Sequence, residues 1–310
     1  MNASVSLDLV CLGECMLELR ALEEPGLVQM GYGGDSYNTA YYARKLGIKV
    51  GFVSVLGRDA LSQRLVDSFQ TDGVDTEGVF RDGLNPPGMY WIENDEAGER
   101  RFHYWRSQSP VRTLCHRPLM DVLDVCQRGR VFYLSLISVA VVENRDALIE
   151  LLSALSDRCV IVYDSNYRPA LWRNREEALY WHSRILPFAE HYMPSLDDEC
   201  ALYDCSETAA LSRLERHSDH CTLILKRGER GALICKDKHW RPVASRPVQA
   251  TDATGAGDSF NGAYLAGICS GLRAWQAAEQ SSQLAAEVVQ HPGALLPANH
   301  PFFSAERISQ

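Results

Sequence analysis

The sequence predicts an α/β fold with a central, mostly parallel sheet and helices on both sides. Short apolar runs alternate along the chain with stretches whose apolar residues recur at helical spacing, and each run is hydrophobic nearly throughout. Such strands are buried on both faces, which is typical of parallel sheets covered by helices. The predicted strands are Leu7–Gly13, Lys49–Leu56, Arg130–Ser135, Cys159–Asp164 and Cys221–Leu225, and the predicted helices are Ser36–Leu46, Ala60–Gln70, Val142–Leu155, Arg175–Leu186, Gly255–Ser270 and Ala274–Gln290.

A second, smaller sheet is expected outside the main one. Gly88–Glu93 and Arg100–Arg106 are rich in aromatic residues and flank a turn-forming stretch at 94–98, as the strands of a hairpin do. Met16–Arg20 and Leu27–Gly31 can add two more strands. A small sheet is marginally stable alone, so its aromatic side chains should cover either a ligand site or a second subunit.

The length of the chain fits one domain, which we expect over residues 1–310. The small sheet would form a lid within about 14–33 and 88–107. We expect this lid to join two or more copies of the chain in a homodimer or a larger homo-oligomer.

The composition disfavours several classes of protein. Of the 310 residues 46% are hydrophobic, and the formal net charge of −9 disfavours binding to the phosphate backbone of nucleic acids. No apolar run is long enough to span a bilayer, and the N-terminus lacks the cationic start of a signal peptide. The ten cysteines form no CxxC pair, as expected of reduced thiols. We therefore expect a cytoplasmic protein whose partners are small molecules.

The strongest signal for function is the stretch Thr251–Leu265. Small residues from Ala253 to Gly257 let backbone N–H groups approach one point, and the helix that follows directs its positive end at the same point. Such a point binds anions. Asp258, in the first helical turn, should be stabilised as an anion there and can take a proton from an attacking hydroxyl.

The alternative is that Gly-Ala-Gly is only a tight loop before a helix that happens to begin with Asp. The coincidence of the loop, the placed Asp258 and the small-residue helix favours function. The stretch is not a Walker A loop, because no Gly-Lys-Ser/Thr follows it. No GxGxxG follows the first strand either, which disfavours a dehydrogenase.

Cationic and polar residues elsewhere suggest a site for an anionic sugar. Asp164 closes a predicted strand, so 165–168 should lie on the edge where α/β sheets bind ligands. Arg106 and Arg168 can each form a bidentate pair with a carboxylate or a phosphate. The alternative is that both are surface arginines paired with nearby acids.

The start of the first predicted helix is also polar. Gly33 and Gly34 allow close backbone approach, Asn38 offers both a donor and an acceptor, and Asp35 can accept from a sugar hydroxyl. The alternative is that Asp35 or Ser36 caps the helix.

Histidines give a weaker signal. His217 and His220 have an HxxH spacing without a third ligand nearby, so we expect a solvated pair and not a zinc site. His103 should face outward from its strand.

These motifs resemble those of the ribokinase-like (PfkB) sugar kinases. The stretch Thr251–Leu265 is similar to their C-terminal signature, although Ala253 replaces the usual Ser, Thr, Pro or Val. The N-terminal signature is matched by Gly33, Gly34, Asn38, Ala40, Gly47 and Gly57, with Ser36 where Gly, Ala or Pro is usual. The resemblance covers essentially the whole chain. It implies a ribokinase-like fold and phosphate transfer from ATP to an alcohol, with Asp258 as the base beside Gly255, Ala256 and Gly257.

Within that family, the chain resembles the members that phosphorylate 2-keto-3-deoxygluconate. The segments that carry this resemblance are Gly33–Asp35, Tyr104–Arg106, Asp164–Trp172 and Leu196–Glu199. The resemblance implies that the keto acid is bound by Gly34, Asp35, Asn38, Tyr90, Tyr104, Arg106 and Arg168. The preference for the gluconate or the galactonate epimer stays open.

The resemblance also implies residues that bind the nucleotide. Lys226, Gly228 and Gly231 match a KxGxxG segment that lies over its phosphates, although the same residues read alone are a charged hairpin turn. Asn166 and Ser195 are assigned to the nucleotide as well.

Mg²⁺ is implied by the phosphates of ATP, whose charge must be neutralised. Asp198 is a weak candidate for its site, because Ser195–Asp198 replaces the family's Asn-x-x-Glu. Asp252 either orients the glycine loop or helps to hold a monovalent cation.

Three other functions are alternatives to this one. A fructokinase or a ribokinase would share the fold but would not need Arg106 and Arg168. A sugar-acid sensor without catalysis is disfavoured by the intact Asp258 and glycine loop. A dehydrogenase is disfavoured because the chain lacks the GxGxxG fingerprint of dinucleotide-binding proteins after its first strand.

Overall fold

The computed structural model describes residues 6–22, 24, 26–83, 85–94 and 100–304. The strands are β1 Leu7–Leu12, β2 Met16–Ala21, β3 Val28–Gly33, β4 Val50–Leu56, β5 Val79–Arg81, β6 Met89–Asn94, β7 Arg100–Trp105, β8 Gly129–Ser135, β9 Val160–Asp164, β10 His191–Tyr192, β11 Thr222–Lys226, β12 Ala232–Lys236 and β13 His239–Val243. The helices are α1 Asp35–Lys45, α2 Ala60–Asp72, α3 Leu119–Cys126, α4 Leu136–Val141, α5 Arg145–Leu155, α6 Arg175–Ile185, α7 Leu196–Tyr203, α8 Glu207–Glu215, α9 Ala256–Cys269 and α10 Ala274–Val288.

Nine strands form one large sheet in the order β13-β12-β11-β10-β9-β8-β1-β4-β5. The pairs from β11 through β5 are all parallel, and β12 and β13 extend the sheet as antiparallel strands. The predicted mostly parallel sheet is therefore confirmed. The carboxyl ends of its parallel strands lie at one edge, where open α/β sheets bind their ligands.

Both faces of the large sheet are covered by helices. Successive residues of β9 point to opposite sides, so Ile161 and Tyr163 join one apolar core while Val162 joins the other. The first core contains side chains of α3 through α8, and the second contains side chains of α1, α2, α9 and α10. Burial on both faces is why the strands are apolar throughout.

The predicted small sheet is present, with four strands in the order β3-β2-β6-β7. β2 pairs antiparallel with β3 and parallel with β6, and β6 pairs antiparallel with β7. The turn predicted between β6 and β7 falls on 95–99, outside the described residues. Because β2 and β6 pair directly, the two predicted lid segments are parts of one sheet.

Close packing of α9 depends on glycine. A Cβ atom at Gly262 would lie 2.7 Å from the backbone oxygen of Thr39 in α1, and one at Gly267 would lie 2.7 Å from the Cβ of Ala277 in α10. Both distances are too short for a real side chain. The small residues of α9 therefore allow α1, α9 and α10 to approach one another closely, which fixes the first turn of α9 against α1.

One predicted helix is wrong in its bounds. The helix predicted over Val142–Leu155 begins three residues too early, since α5 begins at Arg145, and the short helix α4 before it is not among the predicted helices. Val142 is extended and Asn144 has a left-handed φ of 44°, so neither continues a helix. Ser135 starts α4 early by accepting the N–H of Ser138 at 3.2 Å.

The ten cysteines are unpaired, and seven of them are buried, as predicted. No helix in the part of the chain that the structure describes is long and apolar enough to cross a bilayer.

Candidate active site

Polar side chains gather at the carboxyl edge of the large sheet. β8 ends at Ser135, β9 at Asp164 and β11 at Lys226. The N-terminal turns of α1 and α9 bring Asp35 and Asp258 to the same edge. The predicted position of Asp164 on the ligand edge is thus consistent with the observed topology.

Asp258 is held from one side by α1. Gly255 precedes α9 with a left-handed φ of 77°, and Asp258 lies in the first turn. Asn38 donates from Nδ2 to Oδ2 of Asp258 at 2.8 Å, while its own Oδ1 accepts the N–H of Gly34 at 3.3 Å. Asp258 is partly exposed, so a ligand in the site can reach it.

The protein raises the pKa of Asp258 to about 7. Loss of hydration is the largest cause, followed by the negative charge of Asp35, while the hydrogen bond from Asn38 and the charge of Lys226 lower it. The sequence predicts that the helix start stabilises the anion, and here the structure differs. Partial burial beside Asp35 and Asp164 outweighs the helix end. A carboxyl group with a pKa near 7 is well suited to general-base catalysis.

Asp35, the first residue of α1, faces the end of β8. Its Oδ2 accepts a hydrogen bond from the hydroxyl of Ser135, and Nδ2 of Asn166 lies 3.5 Å from the same oxygen. Burial raises the pKa of Asp35, and its hydrogen bond from Ser135 is the largest opposing influence. Asn166, which the resemblance assigns to the nucleotide, therefore has its side-chain amide next to the carboxylate of Asp35.

Lys226 lies inside the site. Its Nζ is 2.9 Å from Oδ2 of Asp164 and 3.1 Å from Oδ1 of Asn261, and the amide of Asn261 donates to the same Asp164 oxygen at 2.6 Å. The resemblance assigns Lys226 to the phosphates of ATP. In the structure its positive charge balances the nearly buried carboxylate of Asp164, and it lies close enough to Asp258 to lower the pKa of that residue.

The two arginines predicted to bind an anion both have acidic partners. Arg106 pairs with Glu14, whose carboxylate is almost fully buried. Arg168 lies 3.2 Å from Oδ1 of Asp198, and 53% of its side chain is exposed. The pKa of Tyr104 is raised by burial and lowered by the charges of Arg106 and Arg168. The positive charges of both guanidinium groups are therefore felt by Tyr104, at the rim of the site.

Tyr90 and Tyr104 lie side by side on the small sheet, with ring centroids 5.8 Å apart. Tyr90 is buried and donates to Oε2 of Glu18 at 2.8 Å, whereas 53% of Tyr104 is exposed. A Cβ at Gly33 would lie 2.8 Å from the hydroxyl of Tyr90. Gly33 therefore leaves room for Tyr90.

Gly34 is packed against the main chain. A Cβ there would lie 2.2 Å from the backbone oxygen of Glu14. Gly34 also stands at the N-cap of α1. The alternative that Asp35 or Ser36 caps the helix is wrong, since Gly34 is the N-cap, no side chain caps α1, and the hydroxyl of Ser36 lies 3.0 Å from that of Ser138. The close approach that Gly34 permits is thus to the protein's own backbone.

The loop before α9 packs on one side against Ala294, which lies in the segment after α10. A Cβ at Gly255 would lie 2.5 Å from the backbone oxygen of Ala294, whereas nothing lies within 4 Å of a Cβ at Gly257. The N–H of Ala256 donates to the backbone oxygen of Ala253 at 3.2 Å. The open side of this loop is therefore at Gly257.

Asp252 fixes the loop from its other end. Its Oδ1 accepts the N–H of Thr254 at 3.0 Å, and its Oδ2 accepts the N–H of Gly293 at 2.5 Å. These contacts support the orienting role among the two considered for Asp252.

The Lys226–Gly231 segment is a turn between the antiparallel strands β11 and β12. Gly228 and Gly231 have φ values of 57° and 77°, and a Cβ at Gly231 would lie 2.2 Å from the backbone oxygen of Val243. Both glycines are therefore required by the backbone of this turn.

Ser195 caps α7. Its hydroxyl oxygen accepts the N–H of Asp198 at 3.0 Å. Burial raises the pKa of Asp198, while Arg168 lowers it. Asp198, the candidate metal ligand, is thus already paired with the positive charge of Arg168.

Three residues of this site were not predicted from the sequence. Asn261 and Ser135 bond to the central carboxylates, and Glu14 pairs with Arg106. Asn261 follows Asp258 by three positions on one helix, so its place on the same face was a usable signal. Glu14 gave none, because its partner is distant in sequence.

The chain belongs to the pfkB family of carbohydrate kinases, whose sequence pattern matches residues 6–300. It is 37% identical over 298 residues to the 2-dehydro-3-deoxygluconokinase of Haemophilus influenzae, a match that covers 92% of this chain and 94% of the relative. It is 32% identical over 307 residues to the enzyme of that name from Escherichia coli, covering 94% and 98%.

The solved structure of 2-dehydro-3-deoxygluconokinase from Thermotoga maritima has the same fold. It superposes with a TM-score of 0.82 at 20% identity and covers 98% of both chains. The ribokinase-like fold and the family resemblance drawn from the motifs are confirmed.

Proposed function

We propose that this carbohydrate kinase transfers the γ-phosphoryl group of ATP to a hydroxyl of 2-keto-3-deoxygluconate. The observation that carries the proposal is that Arg106 and Arg168 lie close enough to Tyr104 for both positive charges to lower the pKa of this tyrosine. The same site holds Asp258 beside the glycine loop. A sugar acid needs a cation for its carboxylate, whereas a neutral sugar does not. The names of the most similar relatives support the same substrate.

The carboxylate of the substrate would lie between the arginines. Arg168 is half exposed and bonds only one edge of its guanidinium to Asp198. Among the described residues, Nε of Arg106 has no hydrogen-bond partner. Tyr90, Tyr104, Gly34 and Asp35 would surround the rest of the keto acid.

The reacting hydroxyl would lie beside Asp258. As its oxygen forms a bond to the γ-phosphorus, its proton passes to the carboxylate of Asp258 and the bond to the β-phosphate oxygen breaks, releasing ADP. Asn38 keeps the accepting carboxylate in place. The backbone N–H of Gly257 would face the transferring group, with Gly255 setting the turn before it, whereas the N–H of Ala256, which the resemblance also assigns to this group, donates to the backbone oxygen of Ala253.

The nucleotide would extend from this loop toward β13. Lys226, Gly228 and Gly231 form the turn beside it, and Ser195 and Asn166 lie on neighbouring loops.

Mg²⁺ bound with ATP would neutralise the β- and γ-phosphates. Asp198 offers oxygen atoms of the kind that this ion prefers, and Asp164 lies close enough to raise its pKa. The negative charge collected here fits a divalent cation, with Arg168 then released toward the substrate.

A coupled assay of ADP release tests the proposal. The parent chain should phosphorylate 2-keto-3-deoxygluconate or its galactonate epimer far faster than fructose or ribose, and Asp258→Asn should abolish most turnover. Faster turnover of fructose would assign the chain to another sugar. No ADP release from any of the four, with a folded parent, would favour a sensor.

The small sheet supports a homo-oligomer. Val28, Met30 and Trp105 lie on one face of it, by the registers of its strands, and are 45%, 38% and 57% exposed. Such a patch favours an interface. Light scattering at micromolar concentration should show a dimer or larger species, which Trp105→Glu should dissociate and Met120→Glu, an equally exposed control on α3, should not.

The ten unpaired cysteines support placement in the cytoplasm, where thiols stay reduced.

A further inference from the structure

We infer that Glu287, His291 and His300 form a binding site for a divalent transition-metal ion such as Zn²⁺, apart from the active site. One potential ligand atom of each side chain lies within 4.8 Å of the other two. All three residues are partly buried. Two imidazoles and one carboxylate are a common ligand set for Zn²⁺.

Two of the ligands lie at the end of α10. Glu287 is in its last turn, and His291 lies just beyond the helix, which ends at Val288. The N–H of His291 donates to the backbone oxygen of Val288 at 3.0 Å. Nδ1 of His291 lies 3.0 Å from the backbone oxygen of Glu287. An N–H at that nitrogen leaves the lone pair on Nε2, the arrangement that metal-binding histidines generally have.

The third ligand, His300, comes from farther along the chain. Nε2 of His300 lies 3.7 Å from Oε1 of Glu287, and the rings of His291 and His300 are nearly perpendicular, at 86°, with centroids 4.9 Å apart. Ligand atoms about 2.0–2.1 Å from a tetrahedral zinc lie about 3.4 Å from one another. Small side-chain rotations would therefore close the site.

Metal binding has a local cost at His300. Nδ1 of His300 lies 3.3 Å from the N–H of Phe302, which donates to it. Coordination through Nε2 puts the proton on Nδ1, so this long hydrogen bond would be given up. A metal bond from Nε2 of His300 would replace it.

Imidazole nitrogens distinguish this site from those of Mg²⁺ or a monovalent cation, which prefer oxygen ligands. The site would join the end of α10 to His300 and close the segment that contains Gly293 and Ala294. That segment bonds to Asp252 and packs under Gly255. Bound metal should therefore stabilise the fold with little direct effect on the substrate.

The test is a titration of the chelator-treated full chain with Zn²⁺ against a chromogenic chelator, with Co²⁺ as a spectroscopic probe. The parent should bind one ion at this site, show the visible absorption of four-coordinate Co²⁺, and melt at a higher temperature with Zn²⁺. His291→Gln and Glu287→Gln should each weaken binding by at least about tenfold.

A double variant, His217→Gln with His220→Gln, is the matched control, because this pair lies apart from the cluster and should leave the site's affinity unchanged. Circular dichroism in chelator must show that each variant folds like the parent. Equal Zn²⁺ affinity in parent and His291→Gln, or no binding to the parent, would overturn the inference and leave a hydrogen-bonded cluster only.

Discussion

The amide of Asn38 donates a 2.8 Å hydrogen bond to the carboxylate of Asp258, although the two residues are 220 positions apart in the sequence. The bond joins the first turns of α1 and α9. An amide N–H favours the charged form of its acceptor, so Asn38 lowers the pKa of a carboxyl group that burial raises.

The first prediction concerns Asp258→Asn, for which activity and stability should change in opposite directions. Turnover should fall by about 10²–10⁴-fold, the scale of general-base catalysis. The pKa of Asp258 is raised from 3.8 to about 7, so the free energy of unfolding falls as pH rises between those values. The amide variant should escape this loss and be more stable at pH 8 by about 1–2 kcal/mol, allowing for solvent access.

Urea unfolding at pH 5 and pH 8 measures the second effect. Asp121→Asn is the control, since Asp121 is an exposed acid in the first turn of α3. It should change neither turnover nor the pH dependence of stability. Loss of stability at pH 8 in Asp258→Asn would contradict the prediction.

Asn38→Ala should move the acidic limb of the kcat profile to higher pH. Without the amide donor the pKa of Asp258 rises further, so a higher pH is needed to deprotonate it. Rates at saturating substrate over a pH series measure the shift. Asn174→Ala, which removes the N-cap of α6, should lower stability by about 1 kcal/mol and leave the limb in place. An unmoved limb in Asn38→Ala would remove Asp258 from the role of base.

Arg168→Ala should raise KM for the keto acid by about 10- to 100-fold, because a hydrogen bond between two charged groups is lost. Any activity on fructose should change little. Arg173→Ala is the control, since Arg173 is 84% exposed and pairs with Glu177 on α6. An equal loss with both sugars would show that Arg168 acts by holding Asp198.

Arg106→Ala should lower the free energy of unfolding by about 3–5 kcal/mol, because Glu14 is left buried without its partner. Adding Glu14→Gln removes the stranded charge and should restore most of the stability. It should not restore activity on the keto acid. Denaturant midpoints and initial rates separate the two effects, and a double variant no more stable than Arg106→Ala would contradict the ion pair's role.

Two glycines of one loop should respond differently to alanine. Gly255→Ala places a side chain at a φ of 77° and against Ala294, so stability should fall by about 1–3 kcal/mol. Gly257→Ala adds a methyl group in open space, so stability should hold. If the phosphoryl group binds there, turnover should still fall by about 10- to 100-fold. Normal turnover in Gly257→Ala would place that group elsewhere.

The sequence predicts much of this molecule because its strands and helices carry local signals. Continuous apolar runs identify the buried strands, and the small residues before Asp258 identify the start of α9. The start of α5 is predicted three residues too early because Val142 lies seven positions before Ile149, which fits helical spacing. Short elements such as β10 have too few residues to show any pattern.

Pairings between distant residues were not predictable in the same way. Lys226 matches a nucleotide-binding motif, yet its ammonium group meets Asp164 and Asn261. Arg106 and Glu14 meet because β2 pairs with β6 in parallel. No turn motif or residue spacing in the sequence predicts this pairing. The types of residue at the site follow from the sequence, and their partners follow from the topology.

The ion pair of Glu14 and Arg106 has a mechanical consequence. The chain enters or leaves the small sheet at four points, and Glu14, Gly34, Gly88 and Arg106 stand at them. A Cβ at Gly34 would strike the backbone oxygen of Glu14, and one at Gly88 would lie 2.8 Å from its Oε1 and 3.3 Å from the Cβ of Arg106. All four connections to the small sheet therefore lie around the buried carboxylate of Glu14. Any movement of the small sheet relative to the large one would be a rotation about this point, and a methyl group at Gly88 would hinder that rotation.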